Sequence, residues 1–159
     1  MEHRLGGLEK LDGVGTVSHD PENHEVMVRA RAAKLDAVQR LIGPLMVDDP
    51  GDAVGSPAET LVLGWGSSYG PVAAACRRLR RGGVSVAHAH LRHLNPMPAN
   101  TGDVLRKYRR VIVPEVNLGQ LAHLLRARYL IDVVSYTEVR GMALSADELV
   151  PVLKELIEQ

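Results

Sequence analysis

The residue pattern with the clearest chemical potential is a glycine- and serine-rich turn that follows a short apolar run. Turns of this kind let backbone N–H groups and the start of a helix approach an anion. The spacing matches neither the dinucleotide fingerprint nor a P-loop. Two interpretations stay open: a contact site for a ligand or partner, or a tight strand-to-helix connection in which Trp65 covers the sheet edge. The candidate contact residues are Gly64, Gly66, Ser67 and Ser68.

Three histidines form a second pattern, His88-x-His90-x-x-His93. On a strand His88 and His90 point the same way, and His93 lies just past the strand end. Three imidazoles can hold zinc, but no carboxylate or further ligand is close in sequence. Polar strand ends or a subunit contact explain these residues as well. We therefore assign no metal site and keep a metal module as a rival hypothesis.

The remaining reactive side chains favour structural roles. Cys76 lies in an alanine-rich stretch, which is typical of a small buried residue rather than a nucleophile. No Ser/His/Asp set is evident, so we assign no catalytic residue. Glu115 and Asn117 either bond a ligand or cap the next helix, and we favour the cap. We interpret the basic cluster of Arg77, Arg78, Arg80 and Arg81 as a solvated helix face.

Composition excludes several functional classes. The 159 residues have a formal net charge of +0, so no general attraction to nucleic acid or anionic lipid is expected. There is no apolar run of ~18 residues and no signal-peptide pattern at the N-terminus. A single cysteine excludes an internal disulfide and a thiolate zinc or iron–sulfur site built from this chain alone. The simplest expectation is a cytoplasmic protein that contacts neither membrane nor nucleic acid.

The N-terminal part of the chain predicts one helix between irregular segments. The first twenty residues read as an irregular lead-in. Asp20-Pro21-Glu22 is a strong helix start, and the helical spacing continues to residue 42, before Gly43-Pro44. An acidic segment rich in proline and glycine, from Asp48 to Glu59, indicates a boundary. We accordingly divide the chain into 1–59, a linker with a helix, and 60–159, an α/β domain.

Strands and helices alternate in the second part. The pattern predicts strands over 60–65, 84–91, 110–116 and 131–136, with helices over 69–81, 101–108, 118–129 and 145–157. A capping box of Ser145 and Glu148 is expected to open the last helix. Such alternation predicts a three-layer α/β/α sandwich with a mainly parallel sheet, preceded by the N-terminal helix.

Four ordered stretches add a resemblance. They are Asp20–Arg29, Leu63–Gly70, Ala87–Asn100 and Val113–Leu121, and the third includes Asn95-Pro96-Met97-Pro98. Together they resemble the C-terminal third of the alpha subunit of 2-oxoacid:ferredoxin oxidoreductases, closest to the 2-oxoglutarate enzymes. The resemblance implies a transketolase C-terminal-like domain. It also places Asn95-Pro96-Met97-Pro98 and the Gly64 turn on a face toward substrate, coenzyme A or other subunits.

The same resemblance implies the setting of this domain. The complete enzyme would use thiamine diphosphate, Mg²⁺ and an iron–sulfur cluster to convert a 2-oxoacid into acyl-CoA and reduced ferredoxin. Its partners would be the beta subunit and the upstream alpha-subunit domains, in an oligomer. No catalytic position, cofactor or metal is carried over to this chain, which alone is expected to be inactive. The alternative is a stand-alone nucleotide- or CoA-binding domain that uses the turn from Gly64 to Gly70.

Overall fold

The computed structural model describes residues 7–51 and 55–159. Two compact units are distinguished by their internal contacts: the first ends at Gly43 and the second begins at Pro44. The sequence instead predicted a boundary at the end of the acidic segment, after Glu59. In the structure Leu45 and Ala58 join the buried core of the second unit, so the flanks of that segment belong with the sheet.

The first unit contains a short turn structure and helix α1, Pro21–Gln39. As predicted, the Asp20 carboxylate caps the helix, accepting from Glu22 N at 3.0 Å. The helix stops at Gln39, short of the predicted residue 42. The described part of the predicted irregular lead-in contains no helix or strand, although Lys10 and Val17 form an isolated antiparallel bridge across a turn. Asn23 Nδ2 orders this turn by donating to Lys10 O at 2.8 Å. The two residues are far apart in sequence, and no hydrophobic pattern predicts this contact.

The second unit is built on a five-stranded sheet. Its strands are β1 (Val47–Asp48), β2 (Thr60–Trp65), β3 (Ala87–Leu91), β4 (Arg110–Glu115) and β5 (Val133–Thr137). Their order is β1-β3-β2-β4-β5, and every pair is parallel except β1 with β3. The helices are α2 (Tyr69–Arg81), α3 (Thr101–Arg106), α4 (Gln120–Tyr129) and α5 (Ala146–Glu158), and a 3-10 turn, Gly66–Ser68, precedes α2.

The sheet is covered on both faces. In β2, Leu61 and Leu63 pack into one buried cluster, which includes residues of α3 and α4, whereas Val62 belongs to another. The second cluster includes Cys76 of α2 and Leu149 of α5. Because successive strand residues face opposite sides, the two clusters lie on opposite faces. The predicted three-layer α/β/α sandwich with a mainly parallel sheet is confirmed.

The observed elements differ from the predicted ones where side chains from other parts of the chain contribute to them. Strand β2 and helix α2 have the predicted bounds, but β1 was not predicted at all. This two-residue strand pairs with β3 at the sheet edge, and Arg80 holds it by donating to Asp48 O at 2.6 Å. The predicted capping box is also wrong. Ser145 Oγ does accept from Asp147 N at 3.3 Å, but Glu148 pairs with Arg140 instead.

Asn100 shows a similar redirection of a predicted cap. It occupies the N-cap position of α3, yet its side chain makes no bond to that helix. Instead its Oδ1 accepts from Leu45 N at 2.8 Å and its Nδ2 donates to Leu45 O at 3.1 Å. Leu45 is buried but lies outside the strands. These two bonds therefore give its backbone N–H and C=O groups the partners that a buried residue needs.

We expect Asn100→Ala to lower the free energy of unfolding by about 1–3 kcal/mol, because both backbone groups of Leu45 lose their partner. Denaturant unfolding of the two proteins measures this difference. Asp103→Ala, an exposed change in the same helix, is the matched control and should cost much less. Equal losses in both variants would contradict the assigned role of Asn100.

Candidate functional site

The glycine–serine turn lies at the carboxyl end of the central strand, β2. Ser68 closes the turn, since its Oγ accepts from Trp65 N at 3.1 Å and donates to Trp65 O at 2.8 Å. Ser67 is exposed just before it. Because the carboxyl ends of parallel strands meet at one edge, the turn lies beside the ends of β3 and β4. This is the edge at which open α/β sheets bind ligands.

Each glycine of the candidate set has a different role. A Cβ on Gly64 would lie 3.0 Å from His90 Nδ1 and 3.2 Å from Ser68 Oγ, so a side chain there would have to displace these groups slightly. Gly66 has φ +57° and open space where a Cβ would stand. The first glycine therefore fits the structural interpretation of the turn. The second leaves a stretch of backbone that a ligand or partner can reach.

Residues 66–70 also spell the G-x-S-x-G order of a hydrolase elbow, with Ser68 at the nucleophile position. A nucleophilic serine needs a hydrogen bond to a base. The Ser68 hydroxyl instead donates to the backbone O of Trp65, and His90 Nδ1 has no hydrogen-bond partner among the described residues. The local geometry is that of a turn, not of an acyl-transfer site.

Two of the three histidines lie beside Tyr69, the first residue of α2. The register pairs Val62 with His88 and Gly64 with His90, so both histidines share one face of the sheet. The Tyr69 ring centroid is 5.8 Å from that of His88 and 5.1 Å from that of His90. This three-ring contact was not predicted, since no spacing in the sequence connects Tyr69 to β3.

Burial keeps both imidazoles neutral near pH 7. Burial, and then the neighbouring His90, lower the pKa of His88 to about 4. Burial also lowers the pKa of His90, with the Gly66 backbone acting in the opposite direction and Arg92 adding to the decrease. His88 Nε2 and His90 Nδ1 are both buried without a hydrogen-bond partner in the described part of the chain.

These histidines are not grouped with other metal-binding side chains in the described residues. Across residues 7–51 and 55–159, no group of three or more His, Cys, Asp or Glu side chains is placed to hold a metal ion. His93 is exposed beyond the end of β3. The geometry that the rival metal hypothesis requires is thus not found in the described residues.

A shallow pocket opens next to the turn, lined by Gly66, Tyr69, His90 and Arg92. It offers a guanidinium, a phenol and an imidazole beside exposed backbone. These groups can bind polar or anionic atoms. The lone cysteine is elsewhere: Cys76 is buried in the core, and burial raises the pKa of its thiol to about 12, as expected for a packing residue.

Glu115 and Asn117 cap α4, as the sequence analysis favoured. Both oxygens of the buried Glu115 carboxylate are used, accepting from Leu121 N at 2.8 Å and from Ala122 N at 3.1 Å. Asn117 Oδ1 accepts from Gly119 N at 2.8 Å and from Gln120 N at 2.9 Å. The amides at the start of this helix are therefore bonded internally, which leaves the turn before α2 as the more accessible helix start at this edge.

The basic cluster on α2 is partly engaged in ion pairs. Arg78 Nη1 lies 2.6 Å from Asp147 Oδ1, which connects α2 to the start of α5. Arg80 Nη1 lies 2.7 Å from Asp48 Oδ2. Arg77 and Arg81 are exposed, so half of the cluster is a solvated face as predicted, and the other half links neighbouring elements.

Comparison with known proteins places the chain among oxidoreductase subunits, although no family model matches it. It is 57% identical over 150 residues to 2-oxoglutarate oxidoreductase subunit KorA of Mycobacterium tuberculosis, covering 94% of this chain and 22% of that protein. It is 38% identical over 117 residues to 2-oxoacid:ferredoxin oxidoreductase 1, subunit alpha, of Aeropyrum pernix, covering 70% of this chain and 18% of that protein.

A solved structure agrees with these relatives. The 2-oxoglutarate:ferredoxin oxidoreductase from Magnetococcus marinus, with 2-oxoglutarate, coenzyme A and succinyl-CoA bound, superposes with a TM-score of 0.81 at 33% identity. The match covers 98% of this chain and 27% of that one. The chain thus spans less than a third of the length of each of these three proteins. No helix among the described residues has the length and apolarity needed to cross a membrane.

We expect Glu115→Gln to lower the free energy of unfolding by about 2–4 kcal/mol, because the amide replaces one accepting oxygen with a donor facing a backbone N–H. Denaturant unfolding measures the loss. Glu155→Gln, at an exposed position of α5, is the control and should change stability little. A loss no larger than that of the control would contradict the capping role.

Stability should also depend on pH through His88. The pKa of His88 is lower in the folded protein than in the unfolded chain. The stability that this residue contributes is therefore fully present above about pH 6.5 and is lost as the pH falls toward 4. We expect the free energy of unfolding to drop by about 2 kcal/mol from pH 7 to pH 5 on account of this residue. His88→Gln should reduce that difference, whereas His123→Gln, at an exposed position, should retain it. An undiminished difference in His88→Gln would disprove the assignment.

Proposed function

Because the chain belongs to the family of 2-oxoacid:ferredoxin oxidoreductase alpha subunits and corresponds to the C-terminal part of that subunit, we propose that it is a non-catalytic assembly domain. In this role it joins the other parts of the enzyme and forms one wall of the active cleft. The observation that carries the proposal is an exposed apolar surface at the carboxyl edge of the sheet.

This carboxyl-edge surface is formed by the loops after β4 and β5. Val116 is 45% exposed and Leu118 79%, while Val139 is 59% exposed and Met142 71%. The loops are adjacent, because β4 and β5 are paired and Glu138 N continues the pairing by donating to Glu115 O at 2.9 Å. Neighbouring exposed apolar side chains of this size favour a protein contact.

The proposed enzyme is a cytoplasmic oligomer that oxidatively decarboxylates a 2-oxoacid, 2-oxoglutarate in the first instance, to acyl-CoA and reduced ferredoxin. Its proposed cofactors are thiamine diphosphate, Mg²⁺ and an iron–sulfur cluster. The contacts of this domain would be made with the beta subunit and with the remaining alpha-subunit domains. Support for this setting comes from the family to which the chain belongs.

The residues of this chain do not fit those cofactors. Thiamine diphosphate is bound through Mg²⁺, which needs oxygen ligands such as carboxylates. The turn at Gly64 offers none, and no ligand cluster is found in residues 7–51 and 55–159. An iron–sulfur cluster needs several thiolates, whereas Cys76 is the only cysteine and is buried. We therefore propose that the chain alone is inactive and that the cofactors lie on other parts of the enzyme.

A second candidate is a stand-alone nucleotide- or CoA-binding domain. Helix α2 favours it because its first turn has no acidic residue and no side-chain cap. Helices α1 and α5 have both, and the first amides of α4 are bonded by Glu115 and Asn117. The 13-residue helix starts beside the pocket at Gly66. The two functions differ in a simple measurement. Thermal stabilisation by NAD, ATP or coenzyme A, equivalent to about 2.7 kcal/mol at 100-fold excess over Kd, would favour the second.

We expect Leu118→Asp to weaken binding of the chain to its complement at least about tenfold, since a carboxylate would be buried in the contact. The complement is the beta subunit together with the alpha subunit of the mycobacterial relative, from which the matching region has been removed. Analytical ultracentrifugation or biolayer interferometry measures the affinity.

Leu130→Asp is the matched control. Leu130 is 90% exposed and follows α4, at the opposite edge of the sheet, so this variant should bind like the wild type. Failure of the wild-type chain to bind, or equal weakening by both changes, would refute the carboxyl-edge contact. Tight binding of thiamine diphosphate and Mg²⁺ by the isolated chain would refute the non-catalytic assignment.

A further inference from the structure

We infer that Tyr69, His90 and Arg92, beside the open surface of Gly66, form a binding site for a small oxyanion: a phosphate or carboxylate group carried by a small molecule. The four residues line one pocket and all belong to the second unit. The inference goes beyond the proposed assembly role, because the site is complete within this chain and requires no other subunit.

Arg92 supplies the charge. It is the first residue after β3 and is exposed, and no described acidic side chain lies within ion-pair distance of it. Several other arginines in the structure are matched with carboxylates, including Arg31, Arg78 and Arg80. An unmatched guanidinium with five fixed donors is suited to the planar or tetrahedral oxygens of carboxylates and phosphates.

The chemistry of the pocket wall selects against cations. None of the four lining residues is acidic, so a metal ion would meet a guanidinium with no carboxylate to compensate its charge. Tyr69 is 56% exposed and presents a hydroxyl that can donate to an anion. Gly66 has no side chain, and the space where its Cβ would stand is open, so an oxyanion has room beside Arg92 and Tyr69.

His90 is held by the fold instead of moving freely. Its ring meets Tyr69 edge-on at 79°, and its Nδ1 is enclosed by the turn next to Gly64. The Nδ1 atom is buried, and the residue as a whole lines the pocket. A neighbouring anion favours the imidazolium form. Oxyanion binding should therefore be coupled to proton uptake at His90 and should be tighter at lower pH.

The test is an NMR titration of the full 159-residue chain with inorganic phosphate and, separately, with acetate, at ionic strength held constant with chloride. Long-range ¹H–¹⁵N spectra report the ring nitrogens of each histidine. We expect a saturable change at His90 with a Kd of about 1 mM, together with a rise in the pKa of His90. A response to phosphate alone supports a phosphate site, and a response to both anions supports a site for either group.

Arg92→Gln should weaken the response at least about tenfold, and Tyr69→Phe should weaken it by a smaller factor. Arg81→Gln, which removes an exposed charge from the far end of α2, should leave it unchanged. Backbone amide spectra of each variant establish that it is folded. The inference is overturned if His90 shows no saturable change with either anion, or if Arg92→Gln and Arg81→Gln respond alike. Binding to the complementary subunits is measured separately, so the two proposals can fail independently.

Discussion

The burial of β2 on both of its faces is the constraint on which the rest of the second unit depends. Leu61, Val62 and Leu63 have no exposed surface, so the strand is stable only with helices packed on both sides. Parallel neighbours then require crossover connections, which the helices supply. The same arrangement brings the turn after β2 to the middle of the carboxyl edge. The location of the candidate site is thus a consequence of covering one apolar strand.

Charged groups connect the elements that the apolar core brings together. Glu115 places a carboxylate with 1% exposure against the amides at the start of α4, which joins the end of β4 to the helix that follows it. Arg80 performs a comparable task at the sheet edge, where it holds Asp48 of β1. The formal net charge of +0 therefore combines opposite charges that are joined in specific ion pairs with others that are spread over the surface. Arg92 differs from these linking residues, which is why it can serve a ligand.

Local patterns predicted those parts of the fold that local forces determine. Strand β2 and helix α2 were predicted at their observed bounds, because an apolar run and a helix ended by glycines are properties of contiguous residues. Strand β1 was missed, since two residues at the start of the acidic segment are too few to show a period and Arg80 helps to hold them at the sheet. Glu148 was assigned to a capping box because the spacing allowed it, but Arg140 competes for its carboxylate.

The candidate site likewise has features that the sequence predicts and features that it does not. The turn could be recognised from its glycines and serines, and the alternation of β3 predicted that His88 and His90 share a face. The approach of Tyr69 and Arg92 to the turn could not be predicted, because it depends on the register of β2 against β3 and on how α2 returns over the sheet. Sequence therefore indicated where a site would lie, and tertiary packing determined which side chains it contains.

Trp65 gives this geometry an experimental consequence. It is the only tryptophan in the chain and lies between the buried strand β2 and the candidate turn, half-buried against the core. Indole emission shifts in wavelength with the polarity of its surroundings. The tryptophan fluorescence of the chain therefore originates at the carboxyl edge of the sheet, and the protein contains its own label at the place where ligands and subunits are proposed to meet it.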